Sequence, residues 1–133
     1  MKYFSGNRDP HWRTKINFVD ENNVVVGYDF SSGCCEQYGW YISNNVTQDT
    51  TGHVLDDNTS GNLDEELEGW VFDDSFFEEL TTSKTRDEEN TAVFRMVKGD
   101  QEQFLHLYNM HNGYYSHGFD FKKGDETIKS GRL

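Results

Sequence analysis

The 133-residue sequence predicts one α+β domain, mostly antiparallel β, with about six strands in hairpins and one or two short helices near the middle. Three observations predict it. Apolar and polar residues alternate in the first and last parts of the chain, and turn residues punctuate that alternation. Aromatic residues make up 15% of the sequence, so a core can form although aliphatics are sparse. Between the two alternating regions the pattern changes to helix-capping spacings.

Residues 1–13 mix aromatics with Gly, Asn and Pro without a period and are expected to form an N-terminal arm. Residues 14–30 read as a hairpin. Ile16 and Phe18 alternate with polar neighbours, residues 20–23 supply the turn, and Val24, Val25 and Val26 open a β-branched run continued by Tyr28 and Phe30. Residues 31–33 break the strand, and Trp40, Tyr41 and Ile42 favour another. Residues 44–61 form a long polar loop.

Residues 63–80 are ambiguous. Asn62 with Glu65 fits a capping box, Leu63 and Leu67 lie one turn apart, and Gly69 suits a helix end. Trp70, Val71 and Phe72 suit a short strand, and Ser75 with Glu78 predicts a second short helix through Phe76, Phe77 and Leu80. Residues 81–90 read as a charged loop. Residues 92–97 alternate, a turn follows at 98–100, and residues 103–110 complete a second hairpin. Asn112-Gly113 marks another turn before a last strand over 114–121. Residues 122–133 read as a flexible basic tail. The body is thus 14–121 within a single domain, 1–133.

Charge is confined to one segment. Residues 49–89 hold fourteen of the 24 acids and only two of the 12 bases, Lys84 and Arg86, so the net charge of −12 belongs to this segment alone. Such a chain is repelled by anionic membranes and by free nucleic acid, whose affinity comes mainly from cationic contacts to phosphates. Positively charged protein surfaces are the expected partners. No apolar run is long enough to span a bilayer, and the first fifteen residues lack the apolar stretch of a secretory signal. The adjacent Cys34 and Cys35 are poorly placed to bridge each other and are expected as reduced thiols in a cytoplasm.

No motif for catalysis or for a cofactor stands out. Cys34 and Glu36 would share one face of a strand and Cys35 the other. One cysteine could be a nucleophile or ligand, but small buried core residues have the same sequence appearance. His106, His111 and His117 could join a cysteine in a mixed zinc site, but their spacings match none of the tight pairs of structural zinc. Asp56, Asp57 and Asn58, or Asp73 and Asp74, could offer calcium oxygens, but the EF-hand spacing is absent. The acidic clusters Asp64, Glu65, Glu66, Glu68, Asp73, Asp74, Glu78 and Glu79 are the expected partner-binding residues. Residues 87–89 add a further cluster. Besides calcium binding, the segment has two further readings: a merely solubilising face, or a surface imitating the charge density of a duplex, about one charge per 1.7 Å of axis.

Cys34-Cys35-Glu36 after the first hairpin, paired with the late Asn112-Gly113-Tyr114-Tyr115-Ser116, resembles a family of small bacteriophage and bacterial proteins known only as a domain of unknown function. The resemblance covers about residues 14–121. It implies a mobile-element setting in a bacterial cytoplasm and carries no catalytic role. Together these features lead to the expectation of a non-enzymatic inhibitor of a basic host protein, one that handles nucleic acid or defends against phage. The alternative is a small-molecule or nucleotide site, or an enzyme, built from Cys34, Cys35, Glu36, Asn112, Tyr114 and Tyr115.

Overall fold

A computed structural model describes residues 1–7, 13–31, 37–47, 55–56, 63–84, 87–111 and 117–133. These residues form two antiparallel sheets packed face to face. The five-stranded sheet is ordered β1 (Lys2–Asn7), β2 (Arg13–Val19), β3 (Val24–Ser31), β10 (Gly118–Lys123), β11 (Glu126–Arg132). The six-stranded sheet is ordered β5 (Leu55–Asp56), β4 (Gln37–Ser43), β9 (Gln101–His111), β8 (Asp87–Lys98), β6 (Val71–Phe72). A further strand, β7 (Glu78–Lys84), pairs with the first half of β8.

Alternation explains the core. Ile16 and Phe18 of β2, Val24, Val26 and Tyr28 of β3, and Phe119 and Phe121 of β10 point inward. They meet Trp40 and Ile42 of β4, Leu105 and Leu107 of β9, and Ala92, Phe94 and Met96 of β8. Edge-on aromatic pairs join the layers: Phe18 with Trp40 at 5.0 Å and Phe94 with Phe121 at 5.1 Å between ring centres. The Tyr28 hydroxyl spans the interface and donates to the Tyr108 carbonyl at 3.0 Å.

Both expected hairpins are present. The turn after β8 and the turn after β10 each place a glycine at the first central position, Gly99 and Gly124, with φ of 60°. Asp100 and Asp125 follow with negative φ, so both are II′-type turns, whose twist matches that of the strands.

Four expectations are corrected. Residues 1–7 are not an arm: β1 pairs with β2 from Lys2–Val19 to Asn7–Thr14. The supposed tail is the edge strand β11, and Leu133 beyond it is buried, its N–H and C=O both bonded to His117. The helix predicted from Ser75 and Glu78 is the strand β7. Ser75 is held instead by Asp73, and Phe77 packs on Phe119, so the chain runs on as an edge of β8. The 81–90 loop is largely strand as well, since β7 reaches Lys84 and β8 begins at Asp87. The α content is therefore smaller than expected: among the described residues one helical turn is present, α1 (Leu63–Glu66), closed by Gly69 at φ 82°. No helix of the described chain is long and apolar enough to cross a membrane.

Candidate functional site: the acidic end of the sandwich

The hairpin turns at 20–23, 99–100 and 124–125 come to one end of the sandwich, together with the segment 67–76. Asp20 organises this end. It is buried, and its Oδ1 accepts the N–H of Asn22 and of Val24, both at 2.9 Å. Its Oδ2 accepts the N–H of Phe72 at 2.8 Å, which ties the 67–76 segment to the first hairpin. The Gly124 N–H donates to the Asn23 carbonyl, joining the third turn to the first. Because β6 pairs with the last residues of β8, the Gly99 turn lies at the same end.

The predicted acidic residues divide into two groups here. Asp64, Glu65, Glu66 and Glu68 are exposed on and just after α1, and Asp64 accepts the Tyr3 N–H at 3.0 Å. Glu78 and Glu79 are exposed on β7. Asp73 and Asp74 are engaged within the fold. Asp73 accepts from the Ser75 hydroxyl at 2.6 Å and from Arg95 at 3.0 Å, and these bonds hold its carboxyl below the usual carboxylate range. Arg95 also reaches Glu102 at 2.9 Å, and hydrogen bonds to these two carboxylates raise its pKa further. Asp74 pairs with Lys123 at 2.9 Å, which raises the lysine. Asp73 and Asp74 thus turn to different cations and do not converge as a calcium pair. The two ion pairs rim an open cleft of about 460 Å³ floored by Val24, Phe72 and Val97.

Sequence reasoning missed the acids that the turns add. Glu21, Asp100 and Asp125 are exposed at this end, although all three lie outside residues 49–89. The turn signals at 20–23 and 98–100 are legible in the sequence, whereas 124–125 falls in the expected tail. That the turns share one end depends on strand order.

His106, weighed as a zinc ligand, is fully buried on the outer face of the six-stranded sheet, stacked on Tyr41 at 4.3 Å and 7°. Its Nε2 lies 2.9 Å from the Asn45 carbonyl and 3.2 Å from the Ser43 hydroxyl. A carbonyl only accepts, so Nε2 carries the proton and cannot act as a base toward Ser43. The Ser43 hydroxyl itself donates to Asn45 O at 3.1 Å, and its side chain is buried. The Ser–His pair is therefore a clasp on the 44–47 segment. Burial pushes His106 down to about 4 and Tyr41 up to about 12, the latter helped by Glu89 and Tyr108. Among the described residues, Nδ1 of His106 is buried without a hydrogen-bond partner. His117, also weighed for zinc, is buried with Nδ1 at 2.9 Å from the Asp29 carbonyl and its ring stacked on Tyr38. Among the described residues no group of three or more His, Cys, Asp or Glu is placed to hold a metal ion.

Cys34, Cys35, Glu36, Asn112, Tyr114 and Tyr115 lie outside the described residues, as do Asp57 and Asn58. The strands that flank the two motifs adjoin: Gln37 is in register with Met110 at the opposite end of the sandwich. Comparison with protein-family models, curated proteins and solved structures returns no match to this chain.

Proposed function

We propose that this chain is a non-enzymatic, phage-type binding protein whose acidic end docks on a basic surface of a bacterial host protein and blocks it. A nucleic-acid-handling or anti-phage defence protein is the target class, since such surfaces are built to meet phosphates. The observation that carries the reading is the gathering at one end of exposed carboxylates from four separated segments: Glu21, the α1 cluster with Glu68, Asp100 and Asp125. Two of the cations described there, Arg95 and Lys123, are engaged by Asp73, Asp74 and Glu102, and the exposed carboxylates outnumber the remaining Lys2, Lys98 and Lys122. The field left for a partner is negative, which favours fast, salt-sensitive association. The resemblance carried by the CCE and NGYYS motifs supplies the phage setting and the bacterial cytoplasm. The test is capture from bacterial lysate at low and moderate salt, comparing the wild type with a variant carrying Glu65→Gln, Glu66→Gln, Glu68→Gln and Asp100→Asn. A retained nucleic-acid-binding or defence protein, lost with salt and with the variant, is the expected result. Equal retention by the variant at low salt counts against the reading.

A second reading, a ligand site or enzyme at Cys34, Cys35, Glu36 and residues 112–116, is favoured by the Gln37–Met110 pairing of the strands that flank the motifs. Thiol alkylation that abolishes a ligand response without unfolding would support it. Thiols that react only in denaturant would oppose it.

A further inference from the structure

Phe4 is the one large hydrophobic residue among those described that stands exposed, at 49%. It projects from the outer face of β1, on the side opposite Tyr3, whose ring packs against Phe18 and Trp40. Beside it lies a cup of about 200 Å³ lined by Met1, Lys2, Phe4, Val19, Asp20 and Glu21. The walls are mainly Met1, Phe4 and Val19. Asp20 is occupied by backbone amides, so among the described residues Glu21 is the outward carboxylate of the cup, and its cations are Lys2 and the Met1 ammonium, the latter bonded to the Leu67 carbonyl.

The α1 acids adjoin the same strand. The residue next to Phe4, Tyr3, donates its N–H to Asp64, and the amino group of Met1 donates to the Leu67 carbonyl at 3.0 Å. The apolar cup with its aromatic wall therefore has Glu21 in its lining, and α1, anchored through Asp64, lies along the same strand. Exposed apolar surface of this kind, where Glu21 and the nearby α1 carboxylates outnumber Lys2, suits a partner bearing an apolar side chain among cations.

We propose that the cup at Phe4 is the anchor point for the basic partner: it receives an apolar side chain from an Arg- or Lys-rich segment, while Glu21 and the α1 carboxylates hold the cations around it. This rests on the basic-partner reading above and adds the place and chemistry of the contact. The apolar contact supplies affinity that salt does not screen, and the carboxylates supply orientation and on-rate.

The test is fluorescence anisotropy with a short labelled peptide that carries arginines flanking a central Leu-Trp pair. The wild type is expected to bind it, more weakly as salt rises. Phe4→Ser is expected to reduce affinity about tenfold or more at all salt concentrations, as for a central aromatic anchor. Phe4→Leu keeps the apolar wall and should stay within about threefold. Glu21→Gln with Glu65→Gln and Glu66→Gln should weaken low-salt binding and flatten the salt dependence. Equal binding by Phe4→Ser and wild type overturns the anchor. If the carboxamide variant still loses affinity in that case, the basic-partner reading survives while the anchor falls. A wild type that ignores the peptide also overturns the anchor, whatever the lysate capture retains.

Discussion

The two sheets treat their outer faces differently. In the five-stranded sheet the strands alternate cleanly: Ile16 and Phe18 are buried while Lys15, Asn17 and Val19 stay half-exposed, and β10 repeats this with Phe119 and Phe121. Its outer face is solvated and crossed by Lys15, which reaches over Gly27 to Asp120 at 2.9 Å. The six-stranded sheet is buried on both sides. Residues 39–43 of β4, 91–94 of β8 and 103–107 of β9 are buried without interruption. On its outer face Tyr41, Val93 and His106 lie in register across three strands, covered by the Asn45 clasp, while Phe76 covers Phe104 nearby. The difference shows that a clean period of two marks a sheet with one wet face, whereas a near-continuous apolar run marks one covered twice.

The largest test of this contrast is in the shared core. Phe94→Ala removes a ring that touches Phe77, Phe119 and Phe121, and should cost about 3–5 kcal/mol in denaturant unfolding. A loss as small as that of a surface change would mean the layers are not packed as described.

The covered face should respond to pH. The folded pKa of His106 is about 4, below its ordinary 6.5, so between these values the unfolded chain binds the proton that the folded one excludes. Its contribution is complete above about pH 6.5, falls as pH drops toward 4, and changes little below that, a span of roughly 3 kcal/mol. His106→Phe should flatten that part of the stability profile. An unchanged slope would mean that His106 titrates in the folded protein as it does in the open chain.

Asp20→Ala comes next. It leaves the buried N–H groups of Val24 and Phe72 without their acceptor and should cost about 2 kcal/mol. Faster amide exchange at Phe72 should accompany it, as β6 loses its tie to the first hairpin. The smallest effect belongs to the wet face: Phe4→Ser should change stability by no more than about 0.5 kcal/mol, which separates its binding role from any structural one.

Local features follow from neighbouring residues. The hairpin over 14–30, the turns at 20–23 and 98–100, the short strand at Val71–Phe72, the helical turn closed by Gly69, and the concentration of charge in 49–89 all rest on neighbours within a few residues. The capping pattern at Ser75 and Glu78 was equally local and misled, because β8 presented an open edge and Phe119 a surface for Phe77, and non-local pairing outweighs a single cap. Which carboxylates are available depends on long-range packing. Asp73 and Asp74 are taken by Arg95 and Lys123, which lie more than twenty and nearly fifty residues away, at |i−j| of 22 and 49. Glu21, Asp100 and Asp125 join the acidic end because strand order brings three turns together. Charge and periodicity can be read along the chain, but the surface on which charges meet is set by which strand lies beside which.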